Sequence, residues 1–464
     1  KIDSADIWIT VPMGLKVASN GLLKNVTPLL NSFQRYEWSL RSPVDYYLLS
    51  FAVAPYDEYN YYMHFAGGDS MLIQNFIYQH PSILQNHQDE LDSIEHIINY
   101  YSDLFGKYPF HTEKAGICLA PLQGGMENQT MVTVGSLDIT LIAHELSHQW
   151  WGDHVTCHSI TDMWLNEGFA TYSEHLYLEK FYGAAAALAS RTQMFNNVMT
   201  GTAGSVWVND TTDEFRIYNG RLTYNKGAAL AHMLRYMIDD DAKYFQVLKT
   251  YQQQFSNATA TTDDLKNIAA QISGVALDTF FHQWYRGEGY PTYSARWYQA
   301  PNGDVRIQLS HTASRPMSVP VFKLPVELKL TSAQGDTVIR VLNTMSSEVF
   351  NLNWGKTMTG MSIDPDNHII NKTLTITNDP TLRVGAVDKH NIKVYPNPAE
   401  ENWYVTNLPL HARISLLDIS GKVVWSMEHA EKDIVIPSAH LARGSYFLHI
   451  EEKNSIGINY QLTR

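Results

Sequence analysis

Two histidines four residues apart with a glutamate between them, in His144-Glu145-Leu146-Ser147-His148, have the spacing of a metal site. The stretch is embedded in apolar helical sequence with Leu141, Ile142, Leu146 and Trp150. Four residues is about one helical turn, so His144 and His148 leave one face together and can coordinate one ion. Glu145 sits about 100° round the axis, turned toward a vacant coordination place, where a carboxylate suits a general base on water. A catalytic zinc takes three protein ligands and keeps one place open. Glu167, in Trp164-Leu165-Asn166-Glu167-Gly168-Phe169-Ala170, lies nineteen positions past His148, and a helix-turn-helix would return it over the first helix. Glu174 and Thr171, seven and four positions past Glu167, share its face. They are candidates to orient a ligating imidazole from behind, against the plainer reading of solvated or packing side chains.

Rival readings of these residues are open. A histidine pair on an apolar helix can be a satisfied core pair, and with 19 histidines the five-residue pattern alone is not decisive. The later glutamate lifts it above chance. His154 and His158 are also four apart, but Gly152 and Asp153 interrupt the helix there and no acid lies between them.

The elements that must position these residues follow from the periodicities. Ile7 to Val11 is β-branched and aromatic, with turn signals at Pro12–Gly14 and Ser19-Asn20-Gly21, and Tyr46–Ala54 is a second strand candidate. Leu91, Ile94, Ile97 and Ile98 recur at helical spacing, and Gly116–Ala120 reads as a strand. Helical patterns occupy Thr140–Gly183 and Leu222 to about Ser273. Short strands return after Gly289-Tyr290-Pro291 and run to about Thr377. The spacing predicts a linker at 378–390 and a last all-strand segment.

The chain has 464 residues, and at roughly 150 per domain that suggests about three domains. Hydrophobic residues at 44% supply several cores and argue against disorder. Lys and Arg total 34 against 47 Asp and Glu, a formal charge of 34 − 47 = −13, which speaks against nucleic acid as a partner. No apolar run is long enough for a transmembrane segment. Cys118 and Cys157 are too few for a disulfide scaffold or a thiolate zinc site, leaving a single pair or two buried thiols. Lys1 follows no Met, charged n-region or apolar h-region, so a mature or trimmed product is expected.

With Gly124-Gly125-Met126-Glu127-Asn128 upstream and Tyr224-Asn225-Lys226-Gly227-Ala228 downstream, the chain from Lys1 to about Lys372 resembles the gluzincin zinc aminopeptidases of the aminopeptidase N type. The resemblance implies one Zn2+ ion on His144, His148 and Glu167, with Glu145 as general base and Tyr224 beside the developing oxyanion. It also implies that Glu127 binds the free α-amine of a peptide. Gly124 and Gly125 would let the substrate approach as an added strand, within a binding segment that includes Met126 and Asn128. Gln123, just before the glycines, is expected to wall the first side-chain pocket. Taken alone, the glycine segment reads as a turn, and Tyr224 as one core or surface tyrosine among 27.

Two departures from the family pattern shape the expectation. The family's second amine anchor, a Gln or Glu of the N-terminal β domain, is expected either to lie upstream of this stretch or to be replaced by another side chain. Its large helical fourth domain has no counterpart before the linker, so a more open cleft is expected.

A separate resemblance covers the last segment. Val394-Tyr395-Pro396-Asn397-Pro398-Ala399, Ile414 to Lys422 and Leu441 to Leu448 look like a C-terminal sorting domain of the type nine secretion system. The plainer alternative is a carbohydrate-binding or spacer sandwich.

The fold expected is therefore multidomain α+β. A partial N-terminal β domain (1–80, truncated at its start) precedes a thermolysin-like, α-rich zinc catalytic domain (81–289). A β-sandwich (290–377), the linker (378–390) and a β-sandwich sorting domain (391–464) follow. The expected function is zinc-dependent removal of N-terminal residues from peptides with a free N-terminus. The rivals are a thermolysin-like zinc endopeptidase and a non-catalytic, zinc-stabilised surface binding protein. The sorting segment implies outer-membrane secretion machinery as a partner, and a place outside a gram-negative cell or on its surface.

Overall fold

In the computed structural model the described residues are 1–65, 67–382, 392–419, 421–428, 430–451 and 458–464. Two compact units result. One comprises Lys1–Met194, Trp207–His232 and Asp240–Ile272, the other Phe195–Val206, Met233–Asp239 and Ser273–Arg464.

The first unit opens on strands β1 (Ala5–Pro12), β2 (Lys16–Ser19), β3 (Leu22–Leu29), β4 (Phe33–Leu40), β5 (Phe51–Ala54), β6 (Tyr56–His64) and β7 (Ser70–Tyr78). β1, β4 and β3 form one antiparallel sheet, and β2 pairs with β5. The strand expected over Tyr46–Ala54 is only half realised. Tyr46–Leu48 is a 3-10 turn, and extended structure begins at Phe51. Hydrogen bonds from Asn20 to Leu48 O and from Ser50 N to Asn20 hold this stretch in a turn.

The boundary expected at residue 80 falls inside continuous structure. β6 pairs with β7, and β7 meets β8 (Lys114–Ala115) and, through Phe76 and Cys118, β9 (Ile117–Leu119). Adding β10 (Gly125–Met126) and β11 (Val132–Val134) gives the order β10-β11-β9-β7-β6, with β10 at the edge. Trp38, Tyr56, Phe76 and Cys118 pack in one core, so the early strands and the later sheet share their burial. Both cysteines are free, Cys118 buried and Cys157 half-buried.

Helix α1 (Pro81–Phe105) buries Leu91, Ile94, Ile97, Ile98, Tyr101 and Phe105 along one stripe, as its spacing predicts. α2 (Ile139–Ser147) is capped by Asp138, whose carboxylate accepts from the Thr140 and Leu141 N–H groups at 3.0 and 3.1 Å. α3 (Trp164–Val198) is broken at Gly183. α4 (Glu214–Ile217) and a π-helical turn (Gly220–Lys226) lead into α5 (Gly227–Ile238), followed by α6 (Asp241–Gln254) and α7 (Thr262–Ser273). The helical run expected over 222–273 is thus four pieces. Among the described residues no helix is long and apolar enough to cross a membrane.

The second unit is mostly strand. An eight-stranded sheet runs from Lys372–Asn378 through Pro291–Gln299, Asp304–Ala313 and Ser347–Asn353, then through Ile458–Thr463, Ser445–Glu451 and Arg413–Asp418 to Val423–Met427. A three-stranded sheet of Lys393–Tyr395, Asn402–Thr406 and Ile434–Pro437 accompanies its C-terminal half. Trp403, Val405 and Ile436 of that sheet bury against Ile414, Leu416, Leu448 and Ile450 of the long one, a sandwich core. Most of the linker expected at 378–390 lies outside the described residues.

Candidate metal centre

The centre lies wholly within the first unit, where α2 ends and α3 begins. Five aromatic contacts fix that junction. Trp151 stacks on Phe169 at 4.1 Å between ring centroids, Phe169 on Trp164 at 5.4 Å, and Trp150 meets Tyr101, Phe105 and Tyr108 edge-on. All three tryptophans are buried, so their large apolar area holds the two helix ends together. The result is a close triangle. His144 Nε2 and His148 Nε2 are 3.2 Å apart, and Glu167 Oε2 lies 3.5 and 3.4 Å from them. Ligands at about 2.0–2.1 Å from a tetrahedral zinc stand about 3.3–3.4 Å from one another, so these three atoms fit a single zinc ion.

The remaining ring nitrogens are occupied from behind. His144 Nδ1 is 2.7 Å from Glu174 Oε1, and His148 Nδ1 is 2.8 Å from the Trp151 carbonyl oxygen. A donated Nδ1–H on each ring leaves Nε2 free to ligate. Burial would depress His144, but the carboxylates of Glu167 and Glu174 outweigh it and hold it well above the ordinary imidazole value. Burial opposes ionisation of Glu167 as well, and the two imidazoles override it and hold its carboxyl below the usual range. The site is built for positive charge.

Glu145 is buried, and burial pushes its pKa up to about 7; His144 and His148 oppose the rise, and Glu127 and Glu167 add to it. A Cβ on Gly125 would collide with its carboxylate, so a side chain there and Glu145 in this position exclude each other. Gly168 and Gly227 meet in a similar way. A Cβ on Gly168 would stand 2.9 Å from Gly227 backbone atoms, so the start of α3 crosses the start of α5 at bare backbone. That crossing brings the π-helical turn over the triangle, with the Tyr224 ring stacked 6.2 Å from that of His144. Burial and the neighbouring Glu167 charge keep the Tyr224 phenol above its usual range, and so protonated.

A cleft of about 540 Å³ opens over the triangle, lined by Gln123, Gly124, Gly125, Met126, Glu127, Glu145, Glu174 and Tyr224 among others. Oxygens of Glu127 and Glu145 and a ring nitrogen of His148 lie within 4.8 Å of one another. Edge strand β10 contributes Gly125 and Met126 and pairs only with β11 among the described residues.

Two expected site residues are placed differently. Asn128 is buried beneath the cleft, donating to Leu48 O at 3.3 Å and accepting from Thr133 Oγ1 at 2.8 Å. Thr171 bonds to neither imidazole, its hydroxyl buried without a hydrogen-bond partner. A position four past Glu167 is nearly, but not quite, over it. His154 and His158 are not ligands of the centre. They bond to Gln252 and Ser256 and to Thr259, respectively. Tyr47 and Tyr218 line the cleft without having been singled out by sequence, and the Tyr47 hydroxyl reaches Glu127 Oε1 at 3.5 Å.

Residues 89–284 match the peptidase family M1 domain, a span that includes every atom of the triangle. Residues 393–460 match a secretion system C-terminal sorting domain. Aminopeptidase M1-A from rice (Oryza sativa subsp. japonica) is 31% identical over 224 residues, 42% of this chain and 25% of that one. The chain spans about a quarter of the length of the curated relatives it matches. The M1 zinc metallopeptidase of Deinococcus radiodurans is similar in structure, with TM-score 0.52 and 25% identity over 58% of this chain and 60% of that one. Legionella pneumophila aminopeptidase A shares the fold at 14% identity, with TM-score 0.66 over 80% of this chain and 44% of that one.

Proposed function

We propose that this chain is a zinc aminopeptidase that removes the first residue from peptides with a free N-terminus. One observation carries the reading: the Glu127 carboxylate lies within 4.8 Å of Glu145 and His148, beside the ligand triangle. An ammonium nitrogen is separated from the first carbonyl carbon of a peptide by about 2.5 Å. A carboxylate holding that ammonium so near the ligands therefore brings the first peptide bond, and no later one, to the reacting position. The endopeptidase alternative has no use for such an anchor, and the binding-protein alternative none for Glu145.

His144, His148 and Glu167 would hold the zinc ion, which when bound would supply Lewis-acid polarisation of the scissile carbonyl and acidify a water for attack near neutral pH. Glu145, buried beside the ligand atoms, takes the proton of the attacking water and returns it to the leaving amine. The protonated Tyr224 hydroxyl donates to the oxygen that gains charge. Gly125 and Met126 at the strand edge offer backbone groups to an extended substrate, while Gln123, Met126, Tyr47 and Tyr218 wall the space for its first side chain.

The sorting segment supports export through outer-membrane secretion machinery and a secreted or cell-surface enzyme of a gram-negative bacterium. The finer division into an N-terminal β domain, catalytic domain, middle sandwich and sorting sandwich is part of the same reading.

Leucine p-nitroanilide and its N-acetyl counterpart test the function. Chromophore release from the free-amine compound alone, abolished by a chelator and restored by zinc, is the expected result. Equal release from both would replace this reading with an endopeptidase, and zinc uptake without release would replace it with a binding protein. Removal of the carboxylate behind His144 is a second test. Glu174→Ala should weaken zinc binding by about 10- to 100-fold, read by competition with a chelating dye. An unchanged affinity would show that the 2.7 Å contact does not tune the ligand.

A further inference from the structure

The turn Ser19-Asn20-Gly21 lies far from Glu127 in sequence, yet Asn20 is completely buried and ties together two segments of the cleft wall. Its amide nitrogen donates to Leu48 O at 3.0 Å and to Gln129 O at 2.6 Å, and its oxygen accepts from Ser50 N at 2.7 Å. Both amide donors and the acceptor are thus engaged with backbone. The adjoining Gly21 N–H donates to Thr130 Oγ1 at 2.8 Å.

The segment so held is unusual. Thr130 has φ +66°, in the left-handed region that a β-branched residue rarely enters. Such a conformation persists only where the surroundings over-determine it. Gln149, next to the ligand His148, supplies the other restraints. Its side chain donates to Glu127 O at 3.1 Å and accepts from Thr130 N at 2.8 Å. Four fixed points between Glu127 and Thr130 therefore come from two directions, the metal helix and the Asn20-Gly21 turn.

We propose that the Asn20-Gly21 turn is a positioning element for Glu127: by clamping Gln129 and Thr130 it sets how far that carboxylate reaches toward the metal ligands. The proposal rests on the reading of Glu127 as amine anchor. Asn20 touches no substrate and acts through backbone. Freed from the clamp, the 127–130 segment relaxes its strained residue, and Glu127 moves with it. Shifts of this kind cost binding of the ammonium before they cost the proton transfers at Glu145.

The test uses the full zinc-loaded chain with Asn20→Ser, which removes both amide donors, and Thr130→Val, which removes the hydroxyl and keeps the volume. The readout is the ratio of kcat/KM for leucine p-nitroanilide to that for its des-amino analogue, 4-methylpentanoyl p-nitroanilide. The ratio is expected to fall by about tenfold or more in both variants, through KM for the amine compound, with zinc content and the des-amino rate unchanged. An equal loss on both compounds, or an unchanged ratio, overturns the proposal; if Asn20→Ser does not fold, Thr130→Val decides alone. Glu127→Ala separates the two readings. Loss of the ratio in that variant keeps the anchor and leaves Asn20 to be judged, whereas a ratio retained there removes the anchor itself.

Discussion

Glu145→Gln is expected to keep zinc and to lower turnover by about two to four powers of ten. The two side chains have the same shape, and the ligand atoms belong to His144, His148 and Glu167, so the triangle of 3.2, 3.4 and 3.5 Å has no reason to change. What is lost is a site for the proton. A carboxamide cannot accept it from water or return it to the leaving amine, and among the cleft-lining groups Glu127, Glu167 and Glu174 are committed elsewhere in the proposed mechanism. Zinc content by mass spectrometry alongside kcat gives the answer. Turnover near the wild-type rate in a zinc-loaded variant would remove Glu145 from the mechanism.

Glu127→Ala should lower kcat/KM for free-amine peptides by about 10²-fold. Truncating one partner of a buried charge-assisted pair costs about 2–5 kcal/mol, and a half-exposed carboxylate belongs toward the lower end of that range. The des-amino analogue, 4-methylpentanoyl p-nitroanilide, should be indifferent to the change, since it has no ammonium to lose. Measuring both compounds on both proteins isolates the interaction from any general damage. A proportional drop for the two would mean that Glu127 supports the fold of the cleft and does not select chain ends.

The parts of this site that depend on one helix were legible in the sequence. Periodicity alone puts His144 and His148 on one face, and a seven-residue interval carries Glu174 back beneath the ring of His144. Thr171, at the less exact four-residue interval, missed. Glu127 and Tyr224 have no such local signal and were reached through resemblance. What remained illegible depends on distant backbone. Tyr47 sits in an apolar run that alternates like a strand, and it faces the cleft because Asn20, almost thirty residues earlier, holds Leu48 in a turn. Asn20 itself read only as part of a turn signal, since nothing near it in sequence announces a partner 109 positions away. Residue 80 shows a related effect: composition changes there, whereas strand pairing between β7 and β9 carries the sheet straight across it.

The contact of Gly168 with Gly227 has a consequence for how this centre can diversify. Glu167 and Tyr224, the ligand and the donor of the proposed mechanism, are mounted on either side of one pivot without side chains between them. Neither can drift by small substitutions at the crossing, because even a methyl group pries both apart at once. Room to vary what the cleft accepts is then left to lining residues such as Tyr47 and Gln123, which stand on chain outside that crossing.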